Sequence, residues 1–130
     1  MNESTFSRWL IGHFRDNGAF VQRLEVTTGS GVPDLVVIYE GKTHWVELKW
    51  NTNHIRPEQY VWARNAAKSG VLVNYICGYE DRIDFYAHFS DEFDTMFKPM
   101  TNTFKLIGDK WDFPRTKIGA YRILEESALM

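Results

Sequence analysis

Asp34, in Gly31-Val32-Pro33-Asp34, and the pair Glu47 and Lys49, in Glu47-Leu48-Lys49, are the residues whose types and spacing suggest chemistry. Phosphodiester hydrolysis needs a divalent ion to offset charge on the phosphate, an activated water, and a cation near the transition state. Carboxylates and a lysine supply those parts. Hard oxygen donors of this kind suit Mg²⁺, with Mn²⁺ as a substitute, and no Cys/His cluster with zinc spacing accompanies them. Other schemes have less support. His13, His44, His54 and His88 are scattered, and no Gly-x-Ser-x-Gly elbow or Walker loop is present. Cys77 falls in a predicted buried strand, where an inert thiol is the default.

Strand and hairpin geometry must position this set. Side chains alternate with period 2 along a strand, so Glu47 and Lys49 share one face of the segment Thr43 to Lys49, along with Trp45. The run Leu35 to Tyr39 precedes it, and Glu40-Gly41 can turn a hairpin between the two. A two-residue loop pairs Tyr39 with Lys42 and sets Asp34 opposite Glu47; a four-residue loop pairs Tyr39 with His44 and also keeps the parity. A slip of one residue would send Asp34 to the other side of the sheet.

The surrounding elements follow from periodicity. Phe6, Trp9, Leu10, His13 and Phe14 have the spacing of one helix face, closed by Gly18. Ala19 to Val26 alternates as a half-buried strand, with Phe20, Gln22, Leu24 and Val26 on one side. Pro57 opens a helix that ends near Ser69-Gly70; Val71 to Cys77 reads as a buried strand and Ile83 to Phe89 as an outer one. Short and longer helices are expected at Asp91 to Phe97 and Thr116 to Ala128. The order is αβββαβ(β).

The 130 residues, 44% hydrophobic and 25% charged, suit one folded domain spanning 1–130, with a core at about 3–89 and an elaboration at 90–130. A single cysteine, an N-terminus without a secretory pattern, and no apolar run long enough to span a bilayer lead to the expectation of a cytoplasmic protein with no membrane role. A net charge of −2 argues against binding nucleic acid through bulk positive charge. Charge is nevertheless uneven: acids dominate from Glu80 to Asp94, whereas Lys98, Lys105, Lys110, Arg115, Lys117 and Arg122 dominate from Thr95 to Arg122. Solvated faces are the ordinary explanation, with a local basic surface as the alternative.

Pro33-Asp34 followed by Glu47-Leu48-Lys49 resembles the signature of the PD-(D/E)XK nuclease superfamily. Gly31-Val32-Pro33-Asp34-Leu35 together with Arg56-Pro57-Glu58-Gln59 is most similar to its VRR-NUC, Holliday junction resolvase-like branch. The resemblance implies an α/β, restriction-endonuclease-like αβββαβ core with a mixed central sheet. It implies that Asp34, Glu47 and the backbone carbonyl of Leu48 hold the ion, that Lys49 orients water and stabilises negative charge, and that Gln59 supports the site. Glu3 matches a further acid that many members carry on the first helix; its ordinary role is to favour a helix N-terminus. Ser30, Arg56, Arg64 and Lys68 are candidate DNA contacts, read otherwise as loop and exposed helix residues. Trp45, Trp50, Tyr60 and Trp62 read as core or flanking aromatics before stacking platforms. The expected activity is Mg²⁺-dependent endonucleolytic cleavage of DNA, with branched or otherwise structured DNA favoured because so small a domain has little surface for reading a long sequence. A homodimer follows by analogy, since two sites would cut two strands. The competing expectation is a nuclease-fold module that binds nucleic acid or protein without hydrolysis.

Overall fold

The computed structural model describes residues 1–24, 29–87 and 90–128. Its first helix, α1 (Glu3–Asp16), starts where the Asn2 side chain accepts the Thr5 N–H at 2.9 Å, and it buries Phe6, Leu10, Ile11 and Phe14. Trp9 and His13 are only half-buried at the edge of that face and meet edge to face. Strands β1 (Phe20–Arg23), β2 (Leu35–Tyr39) and β3 (Lys42–Trp50) follow, then the short β4 (His54–Ile55), helix α2 (Pro57–Lys68) and strands β5 (Val73–Gly78) and β6 (Arg82–Tyr86). After a 3₁₀ segment at Ser90–Met96 come β7 (Phe97–Pro99), β8 (Phe104–Leu106), β9 (Lys110–Pro114) and helix α3 (Lys117–Ala128).

Six strands form the main sheet in the order β1-β2-β3-β5-β6-β9. Only β3 and β5 pair in parallel, because α2 carries the chain back across the sheet between them; every other neighbour is antiparallel. The result is a mixed α/β sheet of the restriction-endonuclease-like kind. Tyr39 pairs with Lys42 across the two-residue turn Glu40-Gly41, whose φ values of 50° and 78° are those a hairpin turn of this length requires. That selects the shorter of the loops compatible with the sequence.

On one face of the sheet α1 and α3 cover Leu35, Val37, Val46, Leu48, Ile76 and Phe85. Tyr39 ties α3 down by donating its hydroxyl to Glu125 Oε1 at 2.5 Å. On the other face α2 packs beside a three-stranded sheet, β4-β8-β7, over Tyr75, Cys77 and Tyr86.

Several boundaries depart from the periodic reading. In β1 the buried side chain is Val21, at 4% exposure, while Phe20 is 58% exposed: its register partner Ile38 lies on the face of the β1–β2 ribbon that no helix covers. The expected strand tails at Glu25–Val26 and His88–Phe89 lie outside the described residues. The short helix expected at Asp91 to Phe97 is the 3₁₀ segment Ser90–Met96, and Phe97 already belongs to β7. No described helix is long and apolar enough to cross a membrane.

Candidate active site

Asp34 stands one residue before β2, where its backbone carbonyl accepts the Leu24 N–H at 2.9 Å and its Oδ2 accepts the Leu48 N–H at 2.8 Å. Both ends of the residue are thus fixed against neighbouring strands. The hairpin register extrapolates to Asp34 opposite Glu47, which brings the two carboxyl groups close enough to interact. Glu47 is 3% exposed. Burial raises its carboxyl from 4.5 to about 10, and the hydrogen bond to Asp34 and the Asp34 charge push the same way; Lys49 and Arg56 offset this only in part.

Lys49 shares the Glu47 face and reaches Gln59 on α2. Its Nζ donates to Gln59 Oε1 at 2.9 Å, the Arg56 N–H donates to the same oxygen at 2.8 Å, and Gln59 Nε2 donates to Glu47 Oε1 at 3.2 Å. Those contacts use the amide at both ends and fix its orientation. The structure therefore joins Asp34, Glu47, Lys49 and Gln59 in one hydrogen-bonded set.

Other candidates are placed differently. Glu3 is exposed on the first turn of α1, and among the described residues no group of three or more His, Cys, Asp or Glu side chains is arranged to hold an ion. The reason is topological. Phe6 packs on Trp50 and against Gly78, so α1 lies across the face that carries Leu48 and Trp50, opposite Glu47 and Lys49. Glu3 is not brought to the pair. Ser30 is exposed in the loop before Gly31. Arg56 is exposed at the start of α2 and pairs with Glu58 at 3.2 Å. Arg64 lies over the Tyr60 ring, 5.8 Å from its centroid. Lys68 is exposed at the far end of α2, roughly 13 Å along the axis from Gln59 and on the opposite side of the helix. Of the aromatics, Trp45 meets Trp62 and Tyr60 stacks on Phe104, which are packing roles.

Gly31 is a site residue that sequence reasoning did not single out by itself. It has φ +76°, and a Cβ there would stand 2.0 Å from the Glu58 carbonyl oxygen. The Gly31-to-Asp34 loop is thereby locked against the first turn of α2, which carries Gln59. The positive φ was unreadable from sequence, although glycine beside the motif was the signal. Gly31→Ala is expected to destabilise the protein by more than about 2 kcal/mol, through left-handed strain plus the clash. A urea melt checks this; an unchanged midpoint would show that the loop and α2 are not interlocked.

Neighbouring strands complete the surroundings. Tyr75 pairs with Glu47 across β3–β5, is 1% exposed, and has a hydroxyl without a hydrogen-bond partner among the described residues. Cys77, beside Lys49 in register, is buried and its thiol is pushed up to about 12, first by desolvation, which makes it inert at neutral pH. Asp84 is a buried acid, but Arg82 at 3.1 Å and Lys110 at 2.9 Å already hold it.

No family model matches the chain, and no curated protein matches it. Among solved structures, it is similar to Hjc, a Holliday junction resolvase from the archaeal hyperthermophile Archaeoglobus fulgidus, with a TM-score of 0.58 and 14% sequence identity over 79% of this chain and 86% of that one. At that identity the likeness is one of fold.

Proposed function

We propose that this chain is a metal-dependent DNA endonuclease, selective for branched DNA such as a junction or flap. The observation that carries the proposal is the connected set Asp34–Glu47–Lys49–Gln59, on the hairpin and helix of a fold shared with a junction-resolving enzyme. Retention of the whole set favours an enzyme over a binding module, which has no need of it.

The residues fit a hard divalent ion. Two carboxyl groups crowd together where burial disfavours two charges, and a bound cation would let both ionise. Leu48 turns its N–H toward Asp34, and in an extended strand a residue's carbonyl leaves by the same edge, so Asp34, Glu47 and the Leu48 carbonyl would form the holding set. Mg²⁺, or Mn²⁺ in its place, would supply charge neutralisation at the phosphate and acidify a bound water. Glu3 stays outside this set.

Lys49 contributes a fixed cation. Anchored on Gln59 Oε1, its ammonium group retains further protons to donate to a phosphate oxygen or an attacking water, and it needs little reorganisation as negative charge builds. Gln59 positions both Lys49 and Glu47. Ser30, Arg56 and Arg64 would serve as DNA-backbone contacts, whereas Lys68 would reach only a longer substrate. We also propose a single domain acting in the cytoplasm, a place in the VRR-NUC-like branch, and a homodimer that presents two sites to two strands.

The test is cleavage of branched, single-stranded and duplex DNA. Chelation is expected to abolish cleavage and Mg²⁺ or Mn²⁺ to restore it, with branched substrates cut fastest. Full activity in chelator would overturn the mechanism; binding without cleavage under either ion would favour the non-catalytic module.

A further inference from the structure

We infer that the three-stranded sheet β4-β8-β7 is a second DNA-backbone contact surface, tracking the phosphates beyond the cleavage site through the row Lys98–Lys105–His54. The inference rests on the nuclease function proposed above and extends it to a part of the chain to which no role has so far been given.

Register defines the row. Lys98 pairs with Lys105, and Lys105 pairs with His54, so these side chains leave one face of the small sheet side by side. Alternation sends Phe97, Leu106 and Ile55 to the opposite face, where all three are buried against α2 and the main sheet. Lys98 is exposed, and Lys105 and His54 are half-exposed. His54 is held by Thr103, with Nδ1 and Oγ1 at 2.8 Å.

Ordinary explanations of surface lysines do not account for the pair. Like charges directly opposite one another in an antiparallel pair destabilise it. Edge strands often carry lysine to prevent sheet-to-sheet association, which accounts for Lys98 on β7 but not for Lys105 on β8, the central strand. Among the described residues neither Lys98 nor Lys105 forms an ion pair, although Asp91, Glu92 and Asp94 are exposed on the preceding 3₁₀ segment. In a chain of net charge −2, an unneutralised pair of lysines matches a polyanion.

The row is also close to the chemistry. His54 follows Lys49 by five residues, so their Cα atoms lie within roughly 18 Å. Arg56 follows β4 directly and binds Gln59 through its backbone. Strands are about 4.8 Å apart, which spreads the row over roughly 10 Å, about three nucleotides of helical rise. A duplex arm leaving the cleavage site past Arg56 would meet it.

The experiment measures affinity for a labelled four-way DNA junction by fluorescence anisotropy, in chelator, from roughly 50 to 200 mM salt. Lys98→Ala/Lys105→Ala is expected to reduce the slope of log K against log salt by about 2, and to weaken binding on the order of tenfold or more at the low-salt end. Lys98→Arg/Lys105→Arg should retain the slope. So should Lys42→Ala, whose cation lies at the opposite end of β3, roughly 23 Å from Lys49. Equal slopes for the wild type and the double alanine variant overturn the inference, as does a wild type that does not bind the junction. Failure of the nuclease proposal looks different: a slope change with no cleavage under any ion overturns the proposed enzyme while the contact surface stands.

Discussion

Lys49→Ala is expected to lower turnover by roughly 10²- to 10³-fold or more while the protein stays folded and still binds DNA and divalent ions. Lys49 is half-buried, and among the described residues its Nζ bonds to Gln59 Oε1, so truncation removes a fixed cation without leaving a buried acid newly unpaired. Glu47 carries its own proton in the ion-free state and retains the bond from Gln59 Nε2. Single-turnover cleavage at saturating DNA reads the chemical step directly, and a melt confirms the fold. Turnover near that of the wild type would remove Lys49 from the mechanism and reduce its bond to Gln59 to a packing role.

What the sequence revealed of this site, and what it hid, divide along a physical line. Short-range geometry was legible: Glu40-Gly41 allows a two-residue turn, and under that turn or the four-residue alternative the parity of Asp34, Glu47 and Lys49 follows by counting. Gln59 was legible only through the resemblance of Arg56-Pro57-Glu58-Gln59 to the nuclease motif; Pro57 marked the first turn of α2 but not which way the glutamine faces. Features that depend on which layer covers which face were not. An alternating strand does not say which of its sides is buried, so Val21 rather than Phe20 enters the core. The strands β4, β7 and β8, of two or three residues, are too short for any period to register. Glu3 shows the same limit. Its place on a first helix matched a motif, but the side of the sheet to which that helix docks is decided by Phe6 against Gly78 and Trp50, a contact between segments over forty residues apart. Gly31 joins the two categories, since its type was visible and its need for a positive φ was not.

Glu47→Gln is expected to abolish cleavage and yet to stabilise the ion-free protein at neutral and alkaline pH. The folded protein holds the Glu47 proton up to about 10, whereas the unfolded chain releases it near 4.5. Between those values the folded state binds more protons than the unfolded one, so wild-type stability falls as pH rises, by up to about 1.4 kcal/mol per pH unit. Glutamine fills the same space, keeps an N–H to offer Asp34, and does not titrate. Its advantage should be near zero at the acid end of the window and exceed about 1 kcal/mol, several degrees in Tm, by about pH 8. Added Mg²⁺ should reverse the order, because it stabilises only the protein that can give up the Glu47 proton and gain the ion, and more so as pH rises. Thermal melts across pH, in chelator and in Mg²⁺, check both halves. A glutamine variant less stable than the wild type at every pH in chelator would mean that Glu47 is ionised and held by Lys49 and Arg56. The pair with Asp34 would then be a structural ion-pair cluster and not a metal-binding site.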